Sequence, residues 1–231
     1  MIYIQNITNN KLKYHIIFQD DDLLIIHKNA GISTSPDLTD GISLHEQLNK
    51  DFDLPFLEPI HRLDKPTQGI IIFAKSKFCF THLTKQFKEK SIDKTYLAIV
   101  RKVNFDERKT LSHFHLFDKQ KKKAIIGNEK FKGAEQCILQ LEKHSDTEIF
   151  SMLAVSPLTG KTHQIRAQLG FEQMPIVGDV KYGYRRSMND KSIALLAYEI
   201  IFRHPHSEKK IQLKTSLPDV GIWSNFKMSK E

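Results

Sequence analysis

The sequence has few of the features that mark secreted, membrane-spanning or metal-binding proteins. Only two of its 231 residues are cysteines, Cys79 and Cys137, too few for a disulfide framework and without metal-ligand spacing. No apolar run approaches the roughly 18 residues that a spanning helix needs, and the first residues lack the regions of a signal peptide. We therefore expect reduced, buried thiols in a cytoplasmic protein with no metal and no membrane partner.

Acidic residues are outnumbered by basic ones. The chain has 35 Lys and Arg against 27 Asp and Glu, a formal net charge of +8. This excess favours a polyanionic partner such as nucleic acid, although many basic proteins have none. A hydrophobic content of 40% fits a globular protein of one large domain or two small ones, with a substantial core.

Short apolar runs of strand character outnumber helical patterns. We predict strands at 14–18, 23–27, 70–74, 94–100, 137–141, 149–155, 193–202 and 210–214. Helices are predicted after the capping residues Ser43 and Ser76, the second through Lys90, and at 162–170. The polar segment 101–133 is typical of a mobile surface connection or a hairpin. Because the elements do not alternate as βαβ units, the pattern predicts an α+β fold with a mostly antiparallel sheet.

One stretch places ionisable residues directly before an apolar strand. The segment 61–65 holds a histidine, an arginine, an aspartate and a lysine, and a turn containing Gly69 connects it to the apolar run 70–74. Taken alone, such a stretch is more often a solvated surface turn. The other interpretation is that Asp64 works in a cleft and Arg62 binds an anionic group beside it.

Four stretches, in order, resemble the motifs of the RluA family of RNA pseudouridine synthases. They are His61-Arg62-Leu63-Asp64 with Pro66, Thr67 and Gly69; Lys94-Thr95-Tyr96; Leu158 to Arg166; and Pro175 to Gly183. The resemblance covers about 14–218 and implies a single catalytic domain over 1–231 without an S4 RNA-binding domain. It also implies the pseudouridine synthase fold, a long, mixed, mainly antiparallel sheet split into two halves around a central RNA-binding cleft.

The resemblance implies roles for individual residues. Asp64 matches the catalytic aspartate, Tyr96 the tyrosine that packs against the target uracil, and Arg166 the arginine that pairs with the aspartate. The residues expected to bind substrate are Arg62, His61, Lys94, Lys161, His163 and Gln164. Without the resemblance, Arg166 would be interpreted as a helix-surface arginine and Tyr96 as a buried strand tyrosine.

The chain departs from the family pattern at three places. Asn29 stands where the family's Lys-Pro-Ala-Gly turn has proline, a change that turn geometry tolerates. Lys161 replaces the usual arginine, which keeps the charge and loses the planar fork. The run Ala194 to Ala197 lacks the common Leu-His-Ala pattern. The change at Lys161 weakens the expectation of a specific phosphate contact there, and the change at 194–197 weakens the transfer of a specific substrate.

The resemblance predicts an isomerase that needs no cofactor and flips a specific uridine of ribosomal or transfer RNA out of its stack. We expect a monomer. One alternative is a catalytically silent RNA-binding protein or RNA-folding helper on the same fold. A glycosidase acting on small sugars is a weaker alternative, because no second carboxylate accompanies Asp64 in its motif.

Overall fold

A computed structural model describes residues 13–36, 41–105 and 108–226. Within those ranges the chain forms eleven β-strands, three α-helices and two short 3-10 helices. It divides into two compact units, unit 1 with Met1–Asp93 and Ala197–Thr215, and unit 2 with Lys94–Leu196 and Ser216–Glu231. The predicted α+β class is confirmed, and the single catalytic domain and the central cleft stay predictions. None of the described helices is long and apolar enough to cross a membrane.

The elements that make up unit 1 are β1 (Tyr14–Gln19), β2 (Leu23–Lys28), α1 (Leu44–Phe52), β3 (Glu58–Pro59), β4 (Gln68–Ala74), α2 (Lys77–Lys88) and β11 (Lys210–Lys214), with most of β10 (Leu195–Arg203). Strand β2 pairs antiparallel with both β1 and β4, and β10 pairs antiparallel with β11. Every residue of β2 is buried. Its near-continuous apolar sequence fits a strand covered on both faces.

The two helices of unit 1 begin where the capping residues predict. Ser43 and Glu46 form the reciprocal capping box of α1, and Ser76 accepts a hydrogen bond from the amide of Cys79 in α2. Helix α2 ends at Lys88, two residues earlier than predicted. Its buried residues are Cys79, Leu83 and Gln86, and Phe80 and Phe87 pack partly buried against the same core. The polar Gln86 can be buried because its amide is satisfied by the distant backbone of β10.

The elements that make up unit 2 are β5 (Asp93–Arg101), which starts at the last residue of unit 1, β6 (Lys109–Asp118), β7 (Lys123–Gly127), β8 (Glu135–Asp146), β9 (Phe150–Pro157) and α3 (Gln164–Phe171). Successive antiparallel pairs join β5 to β9, β9 to β8, β8 to β6 and β6 to β7. The hairpin of β6 and β7 lies within the predicted polar segment. The hairpin interpretation is therefore confirmed for 109–127.

Candidate active site

Asp64 lies in a turn whose backbone is fixed on both sides. Before it, Thr34 Oγ1 donates to the carbonyl of Leu63 at 2.9 Å and accepts from the Leu63 amide at 3.1 Å. After it, the carbonyl of Lys65 accepts the Gly31 amide at 2.8 Å, and the Thr67 amide closes the turn on the Asp64 carbonyl at 3.0 Å. Asp64 itself is partly exposed. The turn therefore holds a carboxylate at the surface on a rigid frame.

Lys28, the last residue of β2, lies fully buried behind this turn. Its ammonium donates to the carbonyl oxygens of Ile32 at 2.9 Å, Asn29 at 3.1 Å and Lys65 at 3.3 Å. Burial lowers the pKa of Lys28 to about 7, against the negative charge of Asp64, which raises it. The ammonium thus joins the 29–32 turn to the Asp64 turn. Lys28 had no predicted role, although a lysine at the end of an apolar strand is an unusual residue that could have indicated one.

The turn after Asp64 requires glycine. Gly69 has φ of 120°, and a Cβ there would lie 2.4 Å from the carbonyl oxygen of Ala197 in β10. Glycine takes such a φ without strain, which fits the turn that the sequence predicts before the apolar run 70–74. The close approach of the two backbones holds the start of β4 against β10.

Two other residues of the first motif have different environments. His61 accepts the Ile72 amide at 3.2 Å through Nε2, and its ring lies 5.2 Å from that of Phe87. This gives His61 a supporting role in unit 1. Arg62 is exposed, as a residue that contacts RNA has to be. Contact of either side chain with substrate stays a prediction.

The 29–32 turn also explains why asparagine can stand at position 29. Its backbone amide donates to the carbonyl of Lys13 at 2.9 Å. Proline has no amide hydrogen and would lose this bond. The departure from the family pattern therefore has a local structural use.

Arg166 in unit 2 is a buried residue with a specific partner. Its Nε and Nη2 donate to the two carboxylate oxygens of Asp179, at 2.7 and 2.9 Å. Both side chains are buried, and the Tyr182 ring lies 5.1 Å from the guanidinium carbon. The interpretation of Arg166 as a helix-surface arginine is wrong. A guanidinium has five N–H donors, and the Asp179 contacts use two of them.

Tyr182 connects this pair to the start of α3. Its hydroxyl accepts the Ala124 amide at 2.8 Å and lies 2.8 Å from Nδ1 of His163. His163 precedes α3 in the left-handed region, with φ of 58° and no side-chain capping bond. Because Tyr182 and Phe117 pack edge-on against the imidazole, His163 is held despite this strained backbone. Its predicted contact with substrate is not tested by these bonds.

Gln164 and Lys161 are engaged within unit 2. The buried amide of Gln164 accepts from the Thr159 hydroxyl and the Lys161 amide and donates to the Ile138 carbonyl. It therefore shapes the turn before α3. The ammonium of Lys161 forms an ion pair with Glu135, whose pKa it lowers. Binding of substrate by these two residues stays a prediction.

Lys94 and Tyr96 lie two residues apart in β5 and therefore project from the same face of the strand. Both are partly buried, and burial lowers the pKa of Lys94. Tyr96 pairs in register with Val155 of β9. Tyr96 is thus not a fully buried strand tyrosine. Because Asp64 belongs to unit 1 and Tyr96 and Arg166 to unit 2, the assembly of these three residues stays a prediction.

The residues around Asp64 and many of those in unit 2 belong to a sequence region that matches a known protein family. Residues 22–170, which hold the Asp64 turn, β5 and most of α3, match the model of the RNA pseudouridylate synthase family. The chain belongs to this family. Its enzyme class is therefore that of an RNA pseudouridine synthase, an isomerase, and the predicted family is confirmed.

Individual pseudouridine synthases agree with this assignment. The chain is 31% identical over 218 residues to Ribosomal large subunit pseudouridine synthase C of Vibrio cholerae, covering 90% of this chain and 67% of the relative. It is 32% identical to the protein of the same name from Buchnera aphidicola, covering 93% and 69%. Among solved structures, Human RNA Pseudouridylate Synthase Domain Containing 1 aligns with a TM-score of 0.73 and 25% identity, covering 90% and 84%. The pseudouridine synthase fold is confirmed.

Proposed function

We propose that this pseudouridine synthase isomerises one or more specific uridines of the large-subunit ribosomal RNA, with Asp64 as the catalytic carboxylate. The proposal on substrate rests on the two similar relatives, whose names state that they act on the ribosomal large subunit. The proposal on chemistry rests on one observation, the partly exposed carboxylate of Asp64 in a turn fixed on both sides.

The reaction needs a positioned carboxylate and consumes no other reagent. The bond from ribose C1′ to uracil N1 breaks, the base turns, and a new bond forms from C1′ to C5. The hydrogen on C5 leaves and N1 takes up a proton, so atoms and electrons balance without an oxidant or a cofactor. Asp64 either attacks C1′, as glycosidase carboxylates do, or removes a proton from the sugar. Both routes require an ionised carboxylate held at a fixed place.

The remaining catalytic roles follow from the chemistry of the side chains. Tyr96 offers a ring that stacks on uracil and a hydroxyl that exchanges protons. Arg166 supplies a positive charge and a planar fork suited to pair with the carboxylate of Asp64. Its contacts with Asp179 support this role, because they fix the plane of the guanidinium on one edge.

Access to the target requires that the uridine leaves its stack, at a cost of a few kcal/mol. Phosphate contacts from exposed basic residues offset this cost, and the net charge of +8 supports such contacts. Exposed Arg62 lies two residues from Asp64 and is suited to bind the flipped nucleotide through stacking and phosphate contact. The cytoplasmic location and the monomeric state stay predictions from the sequence.

A map of pseudouridines in total RNA tests the substrate. We expect that loss of the gene removes one or a few sites from the large-subunit ribosomal RNA, and that wild-type protein but not Asp64→Asn restores them. If only transfer RNA sites were lost, the substrate would be transfer RNA and not the proposed ribosomal RNA. An unchanged map, together with no product when purified protein meets unmodified transcripts of ribosomal and transfer RNA, would favour the silent RNA-binding alternative.

A further inference from the structure

Three side chains of the types that bind metal ions in proteins lie close together in unit 1. Asp22 ends the β1–β2 turn, Cys79 lies in the first turn of α2, and His206 lies in the loop between β10 and β11. A carboxylate oxygen, the thiol sulfur and an imidazole nitrogen of these residues all lie within 4.8 Å of one another. The separations of 57 and 127 positions conceal the group in the sequence, which is why the cysteine count predicted no metal ligands.

We propose that Asp22, Cys79 and His206 bind one divalent cation of the zinc class. Thiolate, imidazole and carboxylate are the ligands that Zn²⁺ takes in tetrahedral sites. Bond lengths of about 2.0–2.3 Å place neighbouring ligand atoms roughly 3.3–3.7 Å apart in such a site. Asp22 Oδ1 lies 3.4 Å from Cys79 Sγ, which already fits.

The contact between Asp22 and His206 has to open to admit the cation. Asp22 Oδ2 lies 2.6 Å from Nδ1 of His206, a hydrogen-bond distance, so the two residues have to separate before each can turn a ligand atom to the cation. His206 is the exposed member of the group, with 57% of its side chain accessible, and lies in a loop. The shift therefore disturbs no core packing. A solvent molecule would complete the four ligands.

Residues around the group hold its side chains in place, as the residues outside the ligands do in metal sites. His204 Nδ1 accepts the amides of His206 and Ser207 at 3.3 and 3.2 Å, which leaves the ring hydrogen on Nε2. That nitrogen faces Asp20 at 3.0 Å and Asp22 at 3.6 Å, so His204 orients the carboxylates. The Phe78 ring stacks on His206 with centroids 4.6 Å apart. Such outer-shell bonds orient ligands in metal sites.

The cation site and the Asp64 turn lie at opposite ends of the β2–β4 pair. Leu23, next to Asp22, pairs with Ala74, and Lys28, behind the Asp64 turn, pairs with Gly69. Five residue steps of strand separate them, roughly 17 Å. The bound cation therefore acts on the stability of unit 1 and not in the isomerisation.

Titration of untagged protein with Co²⁺ tests the site, because cobalt takes the place of zinc and a thiolate ligand produces a near-ultraviolet charge-transfer band. We expect one Co²⁺ per chain, displaced by Zn²⁺, and a higher unfolding temperature with either ion. Cys79→Ser should abolish the band. His206→Gln should weaken binding at least about 100-fold, since loss of an outer-shell partner alone costs 10–100-fold.

Matched controls keep the test decisive. Cys137→Ser removes the other buried thiol, in unit 2, and His144→Gln removes an exposed histidine. Both should bind Co²⁺ as the wild type does. Because His206 is exposed, its variant should fold even if Cys79→Ser does not. The proposal would be overturned if the wild-type protein showed no thiolate band. It would also be overturned if both cysteine variants and His206→Gln kept the band and the affinity of the wild type. The group would then be only an Asp22–His206 hydrogen bond beside a buried thiol.

Discussion

Arg166 donates to both carboxylate oxygens of Asp179, thirteen residues later in the chain, and both side chains are buried. Removing either side chain takes this two-pronged contact away from the buried charge of the other. Asp179 thus fixes where the guanidinium lies, and Arg166 is the residue with the expected catalytic contact.

We expect Asp179→Ala to destabilise the protein by about 3–5 kcal/mol, the usual result of removing one partner of a buried ion pair. Asp179→Asn keeps one acceptor and should cost less. Urea unfolding measures both. If Asp179 positions Arg166, single-turnover rates of folded Asp179→Asn should fall at saturating enzyme while RNA affinity changes little. An unchanged rate in a destabilised variant would limit Asp179 to a structural role.

Substitutions of Arg166 itself should lower the single-turnover rate by different amounts. Arg166→Lys keeps a charge and loses the planar fork, so it should retain part of the single-turnover rate, and Arg166→Ala should retain least. RNA affinity should change far less, because many lysines and arginines share the phosphate contacts. Lys88→Ala, an exposed residue at the end of α2, serves as the control. Equal rates for wild type and Arg166→Ala would remove Arg166 from the site.

The sequence patterns predicted local features well and distant partners poorly. The helix start after Ser43 and the turn before the apolar strand 70–74 follow from residues close together in the chain, and both are confirmed. The role of Lys28 depends on a carbonyl 37 residues away, and that of Gln86 on a strand 117 residues away. Nothing in a local pattern shows whether a buried polar group finds such a partner.

The motif resemblance identified site residues that the periodicity of apolar residues does not. It selected Arg166 and the segment with Asp179 and Tyr182, although nothing in helical spacing distinguishes a buried arginine from a surface one. It did not show that Asp179 binds Arg166, or that Tyr182 connects His163 to the β7 backbone. These contacts depend on how the 175–183 segment packs on α3, which is tertiary information.

The buried ammonium of Lys28 should make stability depend on pH. Its pKa is about 7 in the folded protein, and an unfolded lysine has a pKa near 10.4, so between these values the unfolded state binds more protons. Stability should therefore rise with pH from about 7 to 10, by up to roughly 1.4 kcal/mol per pH unit. Lys28→Met removes this slope, and Lys50→Met, at an exposed site in α1, should keep it.

Unfolding free energies from urea titrations at pH 7, 8 and 9 measure the slope, and the difference between wild type and Lys28→Met cancels other titrating groups. A difference that stays constant across these pH values would mean that Lys28 keeps its charge in the folded protein. The three carbonyl bonds would then offset its burial in full.

Chelation should leave isomerisation unchanged. The chemistry proposed for Asp64 needs no metal, and the candidate cation group lies at the other end of β2. We expect equal single-turnover rates before and after exhaustive treatment with a chelator, measured on an RNA that folds in monovalent salt. A rate that falls and returns with one divalent ion, on such an RNA, would contradict the proposed mechanism.

The most direct prediction concerns Asp64. Asp64→Asn keeps the size of the side chain and removes its charge, and the turn is fixed by backbone and Thr34 bonds that the change leaves in place. We therefore expect a folded protein that binds RNA and whose rate of pseudouridine formation is at least about 10⁴-fold lower, a loss typical of removing an essential catalytic group. Asp53→Asn, an exposed aspartate at the end of α1, should react as the wild type does. Turnover by purified Asp64→Asn close to that of this control would remove Asp64 from the chemistry.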